Sequence, residues 1–293
     1  ISEGRAMVNA ARKYNRLMLA GTQQRSGDHF ISAKQYIDSG KLGKICMCRA
    51  WILSHKNPLE FSPDTATPSH VDYDLWLGPA PKRKFNPNRF HWNWRWYWDY
   101  AGGQQADWGI HLIDIIQWFM GVNAPDSVSS SGAKRILQDN TETPDTQETI
   151  FNYPNFDLVY EHRQANARPI ENRKHGMAFY GENGTLVITR GEWAVYSEGQ
   201  RIAKPPKVNG GPDNNMFVKH ARHFLQCVRR EAKPNADIES GHRSTSTCQL
   251  ANISMLVGRK IKWDAAREVV IDDPEANALL KRKYRKPWVL PEV

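Results

Sequence analysis

The amino-acid sequence predicts an α/β protein: the helix-and-strand tail of a βαβ unit, then a larger α/β domain with an open, mainly antiparallel sheet packed on helices. Three observations carry this reading. A helix leading into a short apolar run opens the chain, consecutive hairpin signals fill residues 126 to 197, and helical periods return at 103–120 and in the C-terminal third.

The elements follow in order. Ala6, Met7, Ala10, Ala11 and Tyr14 repeat near the helical period, which predicts a helix over 2–14 that Asn15 ends. Leu17 to Ala20 then predict a short buried strand closed by Gly21. In open α/β sheets ligands bind beyond the carboxyl ends of strands, and Thr22-Gln23-Gln24-Arg25 would sit at such an end. A helix over about 29–39 stops at Gly40, and Ile45 to Leu53 predict a strand. Residues 54–101 are irregular but aromatic, which argues for an ordered functional loop. A helix over 103–120 ends at Gly121. Strands are predicted at 126–137, 146–153, 156–163, 176–181, 184–189 and 192–197. Tyr153-Pro-Asn-Phe156 and Gly181-Glu-Asn-Gly184 are their hairpin turns. A Pro/Gly/Asn loop over 199–214 precedes helices at about 215–231, 240–259 and 274–283.

At 293 residues the chain can form one large domain or two ordinary ones. No apolar run approaches the roughly 20 residues that span a bilayer, and no secretory signal is visible, so no membrane partner is expected. The opening Ile-Ser-Glu-Gly-Arg-Ala-Met lacks an initiator Met and resembles the middle of a helix, so the natural N-terminus is expected to be missing. That leaves the compartment open between cytoplasm and bacterial periplasm. Net charge is +9, spread over the surface except for a tail cluster from Lys281 to Lys286. Without a nucleic-acid-binding motif, this predicts a solvated basic surface and no nucleic-acid partner. Cys46, Cys48, Cys227 and Cys248 have no metal or disulfide spacing and are expected as small buried hydrophobes.

The chemistry concentrates on the 103–120 helix. With Asp107 at zero and about 100° per residue, His111 falls near about 40° and Asp114 near about −20°. The three side chains share one stripe of a helix otherwise apolar around most of its girdle. Buried carboxylates need partners, and a His between two Asp would satisfy them while raising the imidazole pKa. The stripe could be a functional acid/base or substrate-holding set, a satisfied structural cluster, or a metal site, and no further ligand cluster supports the metal. Just before it, Trp92, Trp94, Trp96 and Trp98 alternate with Asn93, Arg95 and Tyr97. An extended chain would put all four rings on one face, either as a core stripe or as the wall of a sugar-type pocket, with His91 and Trp94 as substrate contacts. Ala101-Gly102-Gly103 would then let the backbone approach a ligand.

The run Trp98-Asp-Tyr-Ala-Gly-Gly-Gln-Gln-Ala-Asp107-Trp-Gly-Ile-His111-Leu-Ile-Asp114 resembles the D-x-x-x-H-x-x-D helix of the glucose–fructose oxidoreductase/inositol dehydrogenase (Gfo/Idh/MocA) family. Residues 3–14, 21–26, 74–81 and 241–246 resemble the same family, so the likeness covers essentially the whole chain. It implies a Rossmann domain that binds NAD or NADP, represented here by residues 1–28. Residues 29–293 would be a substrate-binding α/β domain whose open sheet serves homo-oligomerisation, with the last helices able to pack back on the Rossmann part. The implied reaction is hydride transfer between a sugar or polyol hydroxyl and nicotinamide. His111 would be the general base and Asp107 its catalytic partner. Asp114, His91, Trp94 and Arg163 would bind substrate. Thr22, Gln23 and Gln24 match the segment near the nicotinamide, with Gln24 where many inositol-type members carry a basic residue.

The family's G-x-G-x-x-G and its Glu-Lys-Pro, which carries a lysine implicated in catalysis, would precede the first helix and are not in the sequence. The expectation is a truncated member, short by roughly 100–150 residues. Two other functions stay open beside the dehydrogenase: an NAD-dependent glycoside hydrolase with the same His and Asp, and a non-enzymatic carbohydrate-binding protein.

Overall fold

The computed structural model describes residues 1–210 and 215–293. The chain runs α1 (Ser2–Lys13), α2 (Asp28–Asp38), β1 (Ile45–Leu53), α3 (Tyr73–Leu77), α4 (Gly103–Asp107), α5 (Gly109–Met120), β2 (Ser127–Ala133), β3 (Thr146–Asn152), β4 (Asp157–Arg163), β5 (His175–Gly181), β6 (Gly184–Ile188), β7 (Glu192–Ser197) and β8 (Lys207–Asn209). It ends with α6 (Met216–Val228), α7 (Ile238–Val257), β9 (Ile261–Asp264), β10 (Val269–Val270) and α8 (Pro274–Ala278). Part of the 199–214 loop, residues 211–214, lies outside the described residues.

Among the described residues ten strands form one open sheet in the order β10-β9-β2-β3-β4-β1-β5-β6-β7-β8. Every pairing is antiparallel except β1 with β4. The strand period of two divides β1 cleanly. Cys48, Ala50 and Ile52 join the main core, where α5 and α7 pack, while Trp51 and Leu53 join a smaller apolar cluster on the other face. Arg49 pairs with Glu161 of β4 at 2.7 Å on that second face. Cys46 is exposed rather than buried, because the β1–β5 register slips between Ile45 and Met47.

Three local expectations are corrected. Leu17–Ala20 is not a buried strand: it makes a single bridge, Leu19 with Asp237, and Leu17 is 36% exposed. Its chain instead lies along the entry to α7, with the Ala20 amide bonded to the Ala236 carbonyl at 2.8 Å. The Trp ladder is not extended: residues 91–96 wind into a 3-10 helix. Three residues per turn put alternate side chains on different sides, so Trp96 is buried while Trp92 is 75% exposed. The 103–120 helix is divided at Trp108 into α4 and α5.

Residues 54–101 contain only short helical turns and are held largely by side-chain contacts. Tyr73, Trp76, Phe85, Phe90 and Tyr100 form a chain of ring contacts with centroids 5.0–5.6 Å apart. The basic tail is partly committed to this region. Arg285 donates to Asp74 and Gly78, and Arg282 donates to the Asp99 and Ala101 carbonyls. No helix among the described residues is long and apolar enough to cross a membrane.

Candidate active site

Helix α4 begins where the backbone is tightly packed. Gly103 has φ +64°, and a Cβ there would stand 2.6 Å from the Thr143 Cβ. A Cβ on Gly102 would stand 2.7 Å from the Asn252 side-chain nitrogen, which donates to the Gly102 carbonyl at 2.9 Å. The close approach at these glycines is to Thr143 and to α7. It fixes α4 against α7, and Trp108 then carries the chain into α5 with His111 in its first turn.

The structure does not pair His111 with either aspartate. Asp107 accepts from Arg95 Nε at 3.0 Å and is only half-buried. Asp114 is fully buried and takes both ends of the Arg25 fork, at 2.8 and 2.9 Å. The Ser244 hydroxyl of α7 lies 3.0 Å from Asp114 Oδ1 and 3.0 Å from Gln117 Oε1, and its single proton serves one at a time. Asp114 thus ties the 23–26 turn to α5 and α7 through Arg25 and Ser244. His111 Nδ1 is buried with no hydrogen-bond partner, whereas Nε2 is neither bonded nor sealed from solvent. Burial, with the positive charge of Arg190 second, pulls the imidazole pKa down to about 4. This is opposite to the upward shift expected from an adjacent carboxylate, because the carboxylates are engaged elsewhere. At neutral pH the ring is uncharged.

A residue from a strand-connecting turn joins the cluster. Arg190 lies in the turn between β6 and β7, and its Nε donates to Gln24 Oε1 at 3.1 Å. The other end of the same Gln24 amide donates to the His111 carbonyl at 3.2 Å. The Arg190 guanidinium rests over the Trp108 ring, 4.1 Å from its centroid, and His175 meets the Trp108 ring edge-on at 5.2 Å. Burial lowers the His175 pKa, and Arg190 adds to it. Lys56, just beyond β1, lies 3.6 Å from the centroid of Trp96. Burial brings Lys56 down to about 8, against the opposing pull of Asp107.

Of the other candidates, Gln23 and Gln24 are buried in the 23–26 turn. The Thr22 hydroxyl is buried without a partner, an orphan that the amide edge of a nicotinamide ring would satisfy. Trp94 stays near the cluster, since the Arg95 that holds Asp107 lies 5.4 Å from its ring. His91 turns its ring onto Phe90 and is exposed. Arg163 is not brought to the site. It alternates on β4 with Tyr160 and the buried His162, which face the helices, so it points from the opposite face and bonds Glu161, Asn166 and the Arg168 carbonyl.

Sequence reasoning missed Arg190, Lys56 and His175. Arg190 gives no local signal, because a lone Arg in a hairpin turn is ordinary. Only the folding of β6–β7 against the 23–26 turn makes it special. Among the described residues no group of three or more His, Cys, Asp or Glu side chains is placed to hold a metal ion.

Residues 50–290 match the family model described as the oxidoreductase family, C-terminal alpha/beta domain, of Gfo/Idh/MocA type. The chain belongs to the Gfo/Idh/MocA oxidoreductase family. Solved structures share its fold at low identity. A levoglucosan dehydrogenase in complex with NADH and levoglucosan superposes with a TM-score of 0.65 at 15% identity, covering 89% of this chain and 70% of that one. The WlbA dehydrogenase from Bordetella pertussis, in complex with NADH and UDP-GlcNAcA, gives 0.59 at 18% identity, covering 89% and 67%. An oxidoreductase from Thermotoga maritima gives 0.61 at 16% identity, covering 88% and 66%, so the chain spans about two thirds of that protein's length. Among curated proteins nothing matches. The mixed fold with its large open sheet, read from the sequence, is the fold of this family.

Proposed function

We propose that this chain is the substrate-binding and catalytic part of an NAD(P)-dependent oxidoreductase acting on a sugar or polyol hydroxyl, with His111 as general base. The observation that carries this reading is the state of His111: an uncharged imidazole whose Nδ1 is sealed and whose Nε2 is open, beside Asp107 and Arg190. Membership of an oxidoreductase family supports it, as do the NADH and sugar ligands of the levoglucosan and WlbA dehydrogenases. In this reading residues 1–28 end a dinucleotide-binding domain and residues 29–293 form the substrate domain.

A bound nicotinamide supplies the hydride acceptor, and the orphaned Thr22 hydroxyl with Gln23 is what this chain offers to hold its edge. His111 accepts a hydrogen bond from the reacting hydroxyl at Nε2 and takes its proton as the carbonyl forms. Asp107 bonds Arg95 through one oxygen and keeps the other for a neighbouring sugar hydroxyl. Gln24 fixes the His111 backbone, so the base is held by the 23–26 turn as well as by α5.

The test is His111→Ala in the protein expressed from its natural gene, assayed with NAD⁺ and NADP⁺ on a panel of sugars and polyols. Loss of a general base lowers kcat by about 10²- to 10⁴-fold, with the circular dichroism unchanged. Wild-type kcat in the variant would remove His111 from the mechanism. Cleavage of chromogenic glycosides without net NADH formation would make the protein a glycosidase instead.

A further inference from the structure

The cations of the site outnumber its carboxylates. Arg95, Lys56 and Arg190 each feel Asp107, and Arg95 alone bonds it. His111 and His175 are held uncharged and add no counter-charge. Lys56 and Arg190 have no carboxylate within ion-pair distance among the described residues, whereas the other buried arginine nearby, Arg25, is fully paired with Asp114. Unpaired cations that are partly removed from water are costly unless an anion joins them.

Arg190 is also built as a receptor. Its Nε is committed to Gln24 and its plane is stacked on Trp108, which fixes the direction of the guanidinium. Its two terminal amino groups make no hydrogen bond to protein and are not sealed from solvent. A held guanidinium with both terminal N–H pairs open is pre-organised for a carboxylate or phosphate. The Gln24 amide joins the Arg190 Nε to the backbone carbonyl of His111, and the Arg190 charge is felt by the His111 ring, so the guanidinium and the base belong to one cluster.

We propose that this site takes an anionic sugar, one bearing a carboxylate or phosphate that Arg190 grips through its terminal amino groups while a hydroxyl of the same ring meets His111. This rests on the reading of the site as sugar- or polyol-binding. An anion on Arg190 would also offset the positive field that, after burial, keeps His111 a weak base, so the ligand's own charge would strengthen the base that attacks it.

Calorimetry in a non-phosphate buffer tests it, with hexuronates, hexose 6-phosphates and the matching neutral hexoses titrated into the wild-type chain, Arg190→Gln and Arg190→Lys. A charge-assisted fork should make one anionic class bind about tenfold to hundredfold more tightly than its neutral counterpart, and the class with the larger ratio identifies the oxyanion. R190Q should bring that ratio to near one, and R190K should keep part of it. Thermal melts check that the variants fold. Neutral hexoses binding as tightly as the anionic ones would overturn the proposal and leave the sugar-binding reading standing. A ratio that survives R190Q would place the anion elsewhere and also overturn it. No binding by any sugar would overturn both.

Discussion

Arg25 holds Asp114 with both ends of its guanidinium fork, at 2.8 and 2.9 Å, in a pocket where the carboxylate has no exposed surface. The pair joins the 23–26 turn to α5, and Trp118 covers the guanidinium with its ring centroid 5.4 Å away. Removing one partner strands the other charge in a dry site. Asp114→Ala is therefore expected to cost about 3–5 kcal/mol of stability, read as a lower urea midpoint. A change below about 1 kcal/mol, the range of exposed pairs, would show that the pair is not closed in solution.

The histidines predict an acid-sensitive fold. His111 and His162 are each held down to about 4, by burial first, against an ordinary value of 6.5. The unfolded chain takes up these protons at higher pH than the folded one, so stability is fully present above about pH 6.5 and falls as pH drops towards 4. Each residue contributes a slope of up to about 1.4 kcal/mol per pH unit in that window. Denaturant midpoints should rise from pH 4 to 6.5 and level off above. Ring-proton NMR should show no His111 titration near neutrality, and R190Q should move its midpoint upward. A midpoint at or above 6.5 in the wild type would contradict the sealed Nδ1.

Lys56 should be unusually reactive. Burial lowers its ammonium to about 8, and the Asp107 charge is what stops it falling further. Reductive methylation followed by NMR should give a Lys56 signal titrating near 8, and Asp107→Asn should lower that midpoint. A Lys56 midpoint near that of an exposed lysine, about 10.4, would mean that the side chain swings away from Trp96 into water.

Gly103 tests the entry to α4. Alanine there must adopt φ +64° and press on Thr143. Positive φ costs about 1–3 kcal/mol and overpacking about 1–3 kcal/mol more, so G103A should lower the melting temperature by several degrees. It should also weaken sugar binding, because α4 sets where Asp107 ends. A melting temperature unchanged from wild type would show that the turn has another conformation open to it.

Much of the fold was legible because it is written in local periods. The hairpins at Tyr153–Phe156 and Gly181–Gly184 form where their turn residues lie between alternating strands. The predicted helices stand within a few residues of their observed ends, apart from the division at Trp108 and a last helix that stops at Ala278. The Trp ladder failed for a physical reason. Alternation alone cannot distinguish a strand from a tight helical turn, and Arg95 stacking on Trp92 at 4.2 Å while bonding Asp107 favours the turn.

The sequence by itself determined that Asp107, His111 and Asp114 stand on one helical stretch, because 3.6 residues per turn brings positions four and seven apart to the same side. Only the tertiary structure decided which groups each of them meets. Arg25, 89 residues from Asp114 along the chain, engages both oxygens of that carboxylate, and Arg95 takes one side of Asp107. Arg190, brought from the β6–β7 turn onto Gln24, leaves the imidazole under the influence of a cation instead of between carboxylates. Electrostatic interactions depend on distance in space and on the water removed between groups. Neither is recorded in spacing along a chain, so the direction of the His111 shift became visible only once the sheet had folded over the helix.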